Sequence, residues 1–184
     1  MGCNGFTMTG EFRFCPNCAT PLARLSQWED GGEKVRLRCP ACGYTHWNNP
    51  TPVLAAVVEY QGQILLARNA AWTGKMFALI TGFMEAGETP QGGIAREIKE
   101  ETSLDTTALD LIGVYDFQRM NQIIIAYHAV CTGHVKLSPE LVEYRLYDYD
   151  KLRCWPAGTG YALADWLRTR GYEPEFFEWD RKPE

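Results

Sequence analysis

The spacing of hydrophobic and polar positions changes period several times along the chain. Residues 53–60 and 63–68 are apolar runs bracketing Gln61-Gly62, the pattern of a β-hairpin, and 77–81 reads as another strand. Residues 112–117, 122–133 and 143–149 supply further strands. By contrast, 90–102 and 160–170 place apolar residues three and four apart, which predicts helices. Strands alternating with helices predict a mixed α/β domain. Ahead of it, 23–27 and 34–38 read as two short strands around an acidic, glycine-containing turn, Trp28 to Glu33. His46-Trp47-Asn48-Asn49-Pro50-Thr51-Pro52 carries two prolines that break regular structure, so a boundary is expected near residue 50. The expected division is 1–50, ordered from about residue 12 to 49, and 51–184, ending in a tail whose Phe176, Phe177 and Trp179 suggest docking.

Cysteine spacing changes the picture of the first fifty residues. Cys15-Pro16-Asn17-Cys18 and Cys39-Pro40-Ala41-Cys42 form C-x2-C pairs separated by twenty residues. Tetrahedral Zn²⁺ takes four thiolates at about 2.3 Å, and two such turns can each offer two sulfurs. Disulfides are the alternative, yet redox C-x2-C motifs are normally single, and Met1 to Gly10 lacks the basic-then-apolar pattern of an export signal. That stretch is expected to be a frayed end and the protein cytoplasmic. A module this small has little core, so a structural zinc would supply much of its folding energy. Arg24, Lys34, Arg36 and Arg38 could touch nucleic-acid phosphates or simply be solvated. Cys3, Cys131 and Cys154 share no metal-like spacing and are read as free thiols.

Composition then limits the partners. Of 184 residues, 46% are hydrophobic and 22% charged, enough apolar mass for a sizeable core, and the net charge of −5 gives no bias toward nucleic acid or anionic membranes. No apolar run approaches the roughly 20 residues that span a bilayer. No membrane association and no strong nucleic-acid binding are expected; a homodimer stays open.

The candidate chemistry lies in one loop and helix. Thr89 suits an N-cap and Pro90 the first helical position. Glu97, Glu100 and Glu101 then fall on one ridge, in the half of the helix where the dipole disfavours negative charge. A hard cation, Mg²⁺ or Mn²⁺, would offset them, although acidic helical faces are also often merely solvated.

The fixed spacing goes further. Gly82, five residues, Glu88, seven residues, then Arg96-Glu97-Ile98-Lys99-Glu100-Glu101-Thr102-Ser103-Leu104 resembles the Nudix box, G-x5-E-x7-R-E-U-x-E-E-x-G-U with U apolar. Ser103 departs from it, standing where the family has the glycine that closes the helix. The resemblance covers about residues 51–170 and implies a Nudix α/β/α sandwich, preceded here by a small zinc ribbon. It implies a hydrolase that cleaves a nucleoside diphosphate linked to another moiety with two or three divalent cations. On that resemblance Glu97 and Glu101 are the main ligands, Glu100 shares a metal, the backbone of Gly82 adds a carbonyl, and Arg96 and Glu88 hold the ligands in place. Glu140 resembles a further carboxylate that serves metal or catalytic water, with Glu143 in reserve; an exposed glutamate before a strand is the alternative.

Zinc ribbon, Asn-Pro junction and Nudix domain together resemble two groups, the NADH pyrophosphatases, which also remove NAD caps from RNA, and the plant-type FAD/ADP-ribose pyrophosphatases. The former carry an S-Q-P-W-P-F-P-x-S array about ten residues beyond the box, whereas this chain has Tyr115-Asp116-Phe117-Gln118-Arg119-Met120-Asn121-Gln122. The expected substrate is therefore ADP-ribose, FAD or a similar small ADP-linked nucleotide before NADH. Tyr115 and Phe117 are candidates for stacking the base and Arg119 for a phosphate, unless the two aromatics are core. The alternative class is a nucleic-acid-binding zinc-ribbon protein with a vestigial Nudix scaffold.

Overall fold

A computed structural model of the protein describes residues 12–177. The readings of Met1 to Gly10, Cys3 and Trp179 lie outside the described residues. The chain divides into two compact units, Met1–Pro50 and Thr51–Glu184.

In the first unit β1 (Ala23–Glu29) pairs antiparallel with β2 (Gly32–Arg38), and β3 (Thr45–His46) adds to β2. The strands run further than the sequence pattern suggests, leaving only Asp30-Gly31 as the turn, because positive φ at Gly31 and Gly32 lets the ladder continue to Glu29↔Gly32. Glu29 accepts from both Arg36 and Arg38, tying β1 to β2 by charge where there is little apolar core.

In the second unit the hairpin of β4 (Thr51–Tyr60) and β5 (Gln63–Asn69) is followed by β6 (Ile80–Phe83), α1 (Pro90–Thr102), β7 (Asp105–Phe117), β8 (Gln122–Thr132) and β9 (Leu141–Tyr147). Short β10 (Arg153–Cys154), α2 (Thr159–Thr169) and β11 (Glu175–Phe176) complete the described chain. The main sheet has the order β7-β8-β4-β5-β9, with β6 also on β4, and β4 and β8 run parallel. Alternation along β4 explains the layers. Leu54, Ala56 and Val58 pack with Ile94 and Ile98 of α1 on one face, while Val57 meets Leu163 and Leu167 of α2 on the other. This is the expected α/β/α sandwich.

Three strand bounds differ from the pattern. The strand expected at 77–81 is Ile80–Phe83, because Ala78 makes only an isolated bridge to Ala67 before the chain crosses to β4. The strand expected to begin at 112 starts at Asp105; its first half is a polar edge with register shifts, which hides the period-2 signal. The strand expected at 143–149 is β9, beginning at Leu141. In the tail, β11 pairs with β10, and half-buried Phe177 packs against the α2 side of the core. Among the described residues no helix is long and apolar enough to cross a membrane.

Candidate active site and metal centre

The hairpin of β4 and β5 is closed only at one end. β4 pairs β5 through Val58 to Tyr60, then turns its other end to β6 through Val53 to Ala56, while β5 diverges to pair β9. The divergence opens a cavity of about 520 Å³ in the second unit. Gly82, Arg96, Glu97, Glu100, Glu101 and Glu140 all line it.

Local structure places each of these groups. Thr89 caps α1 by accepting from the Gly92 N–H at 3.1 Å, and Pro90 begins the helix. Gly93 is buried where a Cβ would come within 2.5 Å of both Leu54 and Glu88, so glycine there lets the helix lie against β4. At Gly82 a Cβ would overlap the Glu97 carboxyl itself, so that strand glycine makes room for the ligand candidate. Ser103 ends the helix with φ 63°, the left-handed residue expected at the family's glycine position. The last helical carbonyls are satisfied from the next segment: Lys136 and Ser138 donate to Thr102 and Glu101, both at 2.9 Å. Those bonds bring the loop of Glu140 beside Glu101.

Arg96 organises the ridge. It grips Glu88 through two bonds of 3.0 and 3.1 Å, and its Nη1 donates to Glu97 at 2.9 Å and Glu100 at 3.0 Å. Glu88 also accepts from the Glu85 N–H, anchoring the loop, and its carboxyl is held below the ordinary range chiefly by Arg96. Glu101 has no such partner. It is 9% exposed, and burial, then the charges of Glu97, Glu140 and Glu100, push it up to about 7. Burial also raises Glu97. Carboxylates so crowded, with Arg96 the one cation among the described lining residues, are a donor set suited to a hard divalent ion.

Not every expected residue is here. Glu143 pairs with Arg145 and Arg68 and does not line the cavity, so Glu140 is the carboxylate the fold brings to the ridge. Tyr115, Phe117 and Arg119 do not line it either. Tyr115 donates to Asp165 of α2 at 2.9 Å, Phe117 packs on the α2 side, and Arg119 lies 5.6 Å from the Phe117 ring. The aromatics at the cavity are instead Trp72 and Phe83, 39% and 57% exposed, accompanied by Asn69 and Gln122. The signals for them were slight: Phe83 adjoins Gly82, and Trp72 is a lone aromatic in a polar, glycine-containing stretch.

In the first unit the sulfurs of Cys15, Cys18, Cys39 and Cys42 lie within 4.8 Å of one another, with Cys15–Cys42 and Cys18–Cys39 at 3.5 Å. A tetrahedron with 2.3 Å bonds has edges of about 3.8 Å, so the set fits Zn²⁺ and is too wide for disulfides. Each knuckle closes with a residue at positive φ, Ala19 and Gly43, whose N–H returns to the carbonyl of Cys15 or Cys39. Among the described residues it is the one group of three or more potential ligands gathered so tightly. Cys131 and Cys154 are buried free thiols.

The model of the NUDIX domain matches residues 49–168, and that of the Nudix N-terminal zinc ribbon matches 13–48. The chain belongs to the NUDIX domain family. Its Nudix relatives include two proteins named NAD-capped RNA hydrolase NudC. The one from Stutzerimonas stutzeri is 28% identical over 174 residues, covering 92% of this chain and 61% of its own. The one from Pseudomonas aeruginosa is 29% identical over 147 residues, covering 79% and 51%. This chain thus spans little more than half the length of the curated relatives it matches. A Nudix hydrolase from Nitrosomonas europaea has a similar structure, with TM-score 0.73 and 25% identity, covering 90% of this chain and 97% of that one. An ADP-ribose pyrophosphatase from Streptococcus suis shares the fold at TM-score 0.56 and 19% identity, covering 70% and 100%.

Proposed function

We propose that the protein is a divalent-cation-dependent pyrophosphohydrolase that cleaves a nucleoside diphosphate linked to another moiety, ADP-ribose or FAD foremost, and releases AMP. The observation that carries this reading is the convergence of Glu97, Glu100, Glu101 and Glu140 on one open cavity whose walls also hold Trp72 and Phe83. Four carboxylates alone would repel a pyrophosphate. Mg²⁺ or Mn²⁺, when bound, supplies neutralisation of the diphosphate and a lower pKa for attacking water. Glu97, Glu100, Glu101 and the Gly82 carbonyl are the groups to hold it, while Arg96 and Glu88 keep the carboxylates in place. Glu140, which lines the same cavity and forms no ion pair among the described residues, is the group to which we assign the proton of the attacking water. Water oxygen bonds to one phosphorus, the bridging P–O bond breaks, and each product leaves with one phosphate. Trp72 and Phe83 take over the base-stacking role first expected of Tyr115 and Phe117, worth about 1–3 kcal/mol per base.

Rates with ADP-ribose, FAD, NADH and deoxynucleoside triphosphates, in Mg²⁺ or Mn²⁺ and with products separated by chromatography, test the reading. AMP should appear, with the highest kcat/KM for ADP-ribose or FAD and poor turnover of triphosphates. Triphosphates cleaved faster than every dinucleotide would overturn the substrate assignment. The name shared by the two NudC relatives favours a second reading, hydrolysis at an NAD moiety, free or at an RNA end. An NAD-capped oligoribonucleotide added to the same series decides between them.

A further inference from the structure

Adjacent residues of a strand face opposite ways. Ala67 of β5 lines the carboxylate cavity, and Leu66 lines a second cavity of about 500 Å³ on the other face. Lys75, Arg145, Lys151 and Arg153 all contribute to this second lining, and no acidic residue does among those described. The chain as a whole carries 18 basic against 23 acidic residues, so four cations around one opening run against its composition. Arg145, Lys151 and Arg153 pair through their charged groups with Glu143, Asp148 and Glu175, none of which lines the cavity. Lys75 is exposed and forms no ion pair among the described residues.

The floor is apolar and aromatic. Leu66, Leu152, Phe77 and Phe177 form it, and the Arg145 guanidinium lies 4.4 Å from the centre of the Phe77 ring. A cation stacked on a ring extends a flat surface suited to another planar group. A bare inorganic anion would leave this floor unused, and a fatty anion would leave its flat faces unmatched. A ring joined to a phosphate uses both floor and rim, and the volume falls in the range of ordinary ligand sites.

We propose that this cleft binds a nucleotide, its base on the Phe77–Arg145 surface and its phosphate among Lys75, Lys151 and Arg153, as a site separate from the carboxylate cavity. The nucleotide is either a free mononucleotide or one unit of single-stranded RNA. The two openings lie along one short segment: Trp72 lines the first and Lys75 the second, three residues and so at most about 11 Å apart along the chain. The site stands independently of the hydrolytic reading.

Calorimetric titration of the full chain, with no divalent cation added, tests it with AMP, ribose 5-phosphate and a 5′-hydroxyl oligoadenylate. AMP should bind about tenfold or more tightly than ribose 5-phosphate, through stacking of its base. The double variant Lys75→Ala/Arg153→Ala, checked for unchanged melting, should weaken AMP by about tenfold. Oligoadenylate binding more tightly than AMP and falling more steeply with salt assigns the site to RNA; equal affinity assigns it to the free nucleotide. Wild-type affinity in the double variant, or no preference for AMP over ribose 5-phosphate, would each overturn the site. A failure to hydrolyse any dinucleotide would refute the proposed activity and leave these binding results unaffected.

Discussion

Glu101 sits at the meeting of burial and like charge, and its protonation links the site to stability. An unfolded carboxyl titrates near 4.5, whereas burial and its acidic neighbours push folded Glu101 up to about 7. Between those values the folded chain holds more protons than the unfolded one, so this residue's contribution to stability is present below 4.5 and is lost as pH rises toward 7. Glu88 and Glu143, whose carboxyls are lowered by arginines, act in the opposite sense, and comparison of variant with wild type isolates Glu101. Without added divalent cation, Glu101→Gln should melt higher than wild type at pH 8 and nearly alike at pH 4.5. With Mg²⁺, the same change should lower kcat by about a hundredfold or more through loss of a ligand charge. Equal melting at pH 8 or near-normal turnover would count against it. Gly82→Ala tests the opposite wall: its methyl would displace the Glu97 carboxyl, and a misplacement near 1 Å can cost about a hundredfold in turnover. Near-wild-type kcat in that variant would show that Glu97 has room to move.

At the scale of elements, the loop and helix of the box were the most legible part of the chain. Thr89, Pro90 and the 3.6-residue spacing are local signals, and the helix runs Pro90–Thr102 as they indicate, whereas closure at Ser103 was expected only from the family's glycine at that position. Its cap is measurable: Thr89→Ala should lower unfolding free energy by about 1 kcal/mol, seen as a shifted denaturation midpoint with unchanged slope. No shift would mean that packing of Ile94 and Ile98 alone sets the helix start. What escaped the sequence were elements defined by partners distant in the chain. Ala78 looks like strand yet spends its backbone bonds on Ala67, and the polar first half of β7 looks like loop yet pairs with β8. The same blindness affected the site. Tyr115 and Phe117 follow the box at a suggestive distance, but their strand faces them toward α2, whereas Trp72 reaches the cavity because β5 parts from β4. Nothing local reports that divergence.

For the whole molecule, the two units derive their stability from different sources. The second has a continuous apolar core on both faces of its sheet. The first has a short three-stranded sheet, a charge cluster around Glu29 and four cysteines, with Trp28 and Val35 left 83% and 61% exposed. Burial of that extent cannot offset the conformational entropy of roughly forty residues, so a metal on the four thiolates is expected to supply the difference. Zinc should therefore be present at one per chain, and melting should show two transitions. A strong zinc chelator, or Cys39→Ser, should abolish the lower one, while the main sheet and two helices of the second unit keep their circular dichroism and upper midpoint within a few degrees. Because Cys39 is buried and its sulfur lies 3.5 Å from that of Cys18 in the other knuckle, its loss should loosen the entire first unit rather than one turn. A single cooperative transition that moves as a whole on chelation would mean that the units are thermodynamically coupled, and less than half a zinc per purified chain would mean that the thiolates serve another purpose.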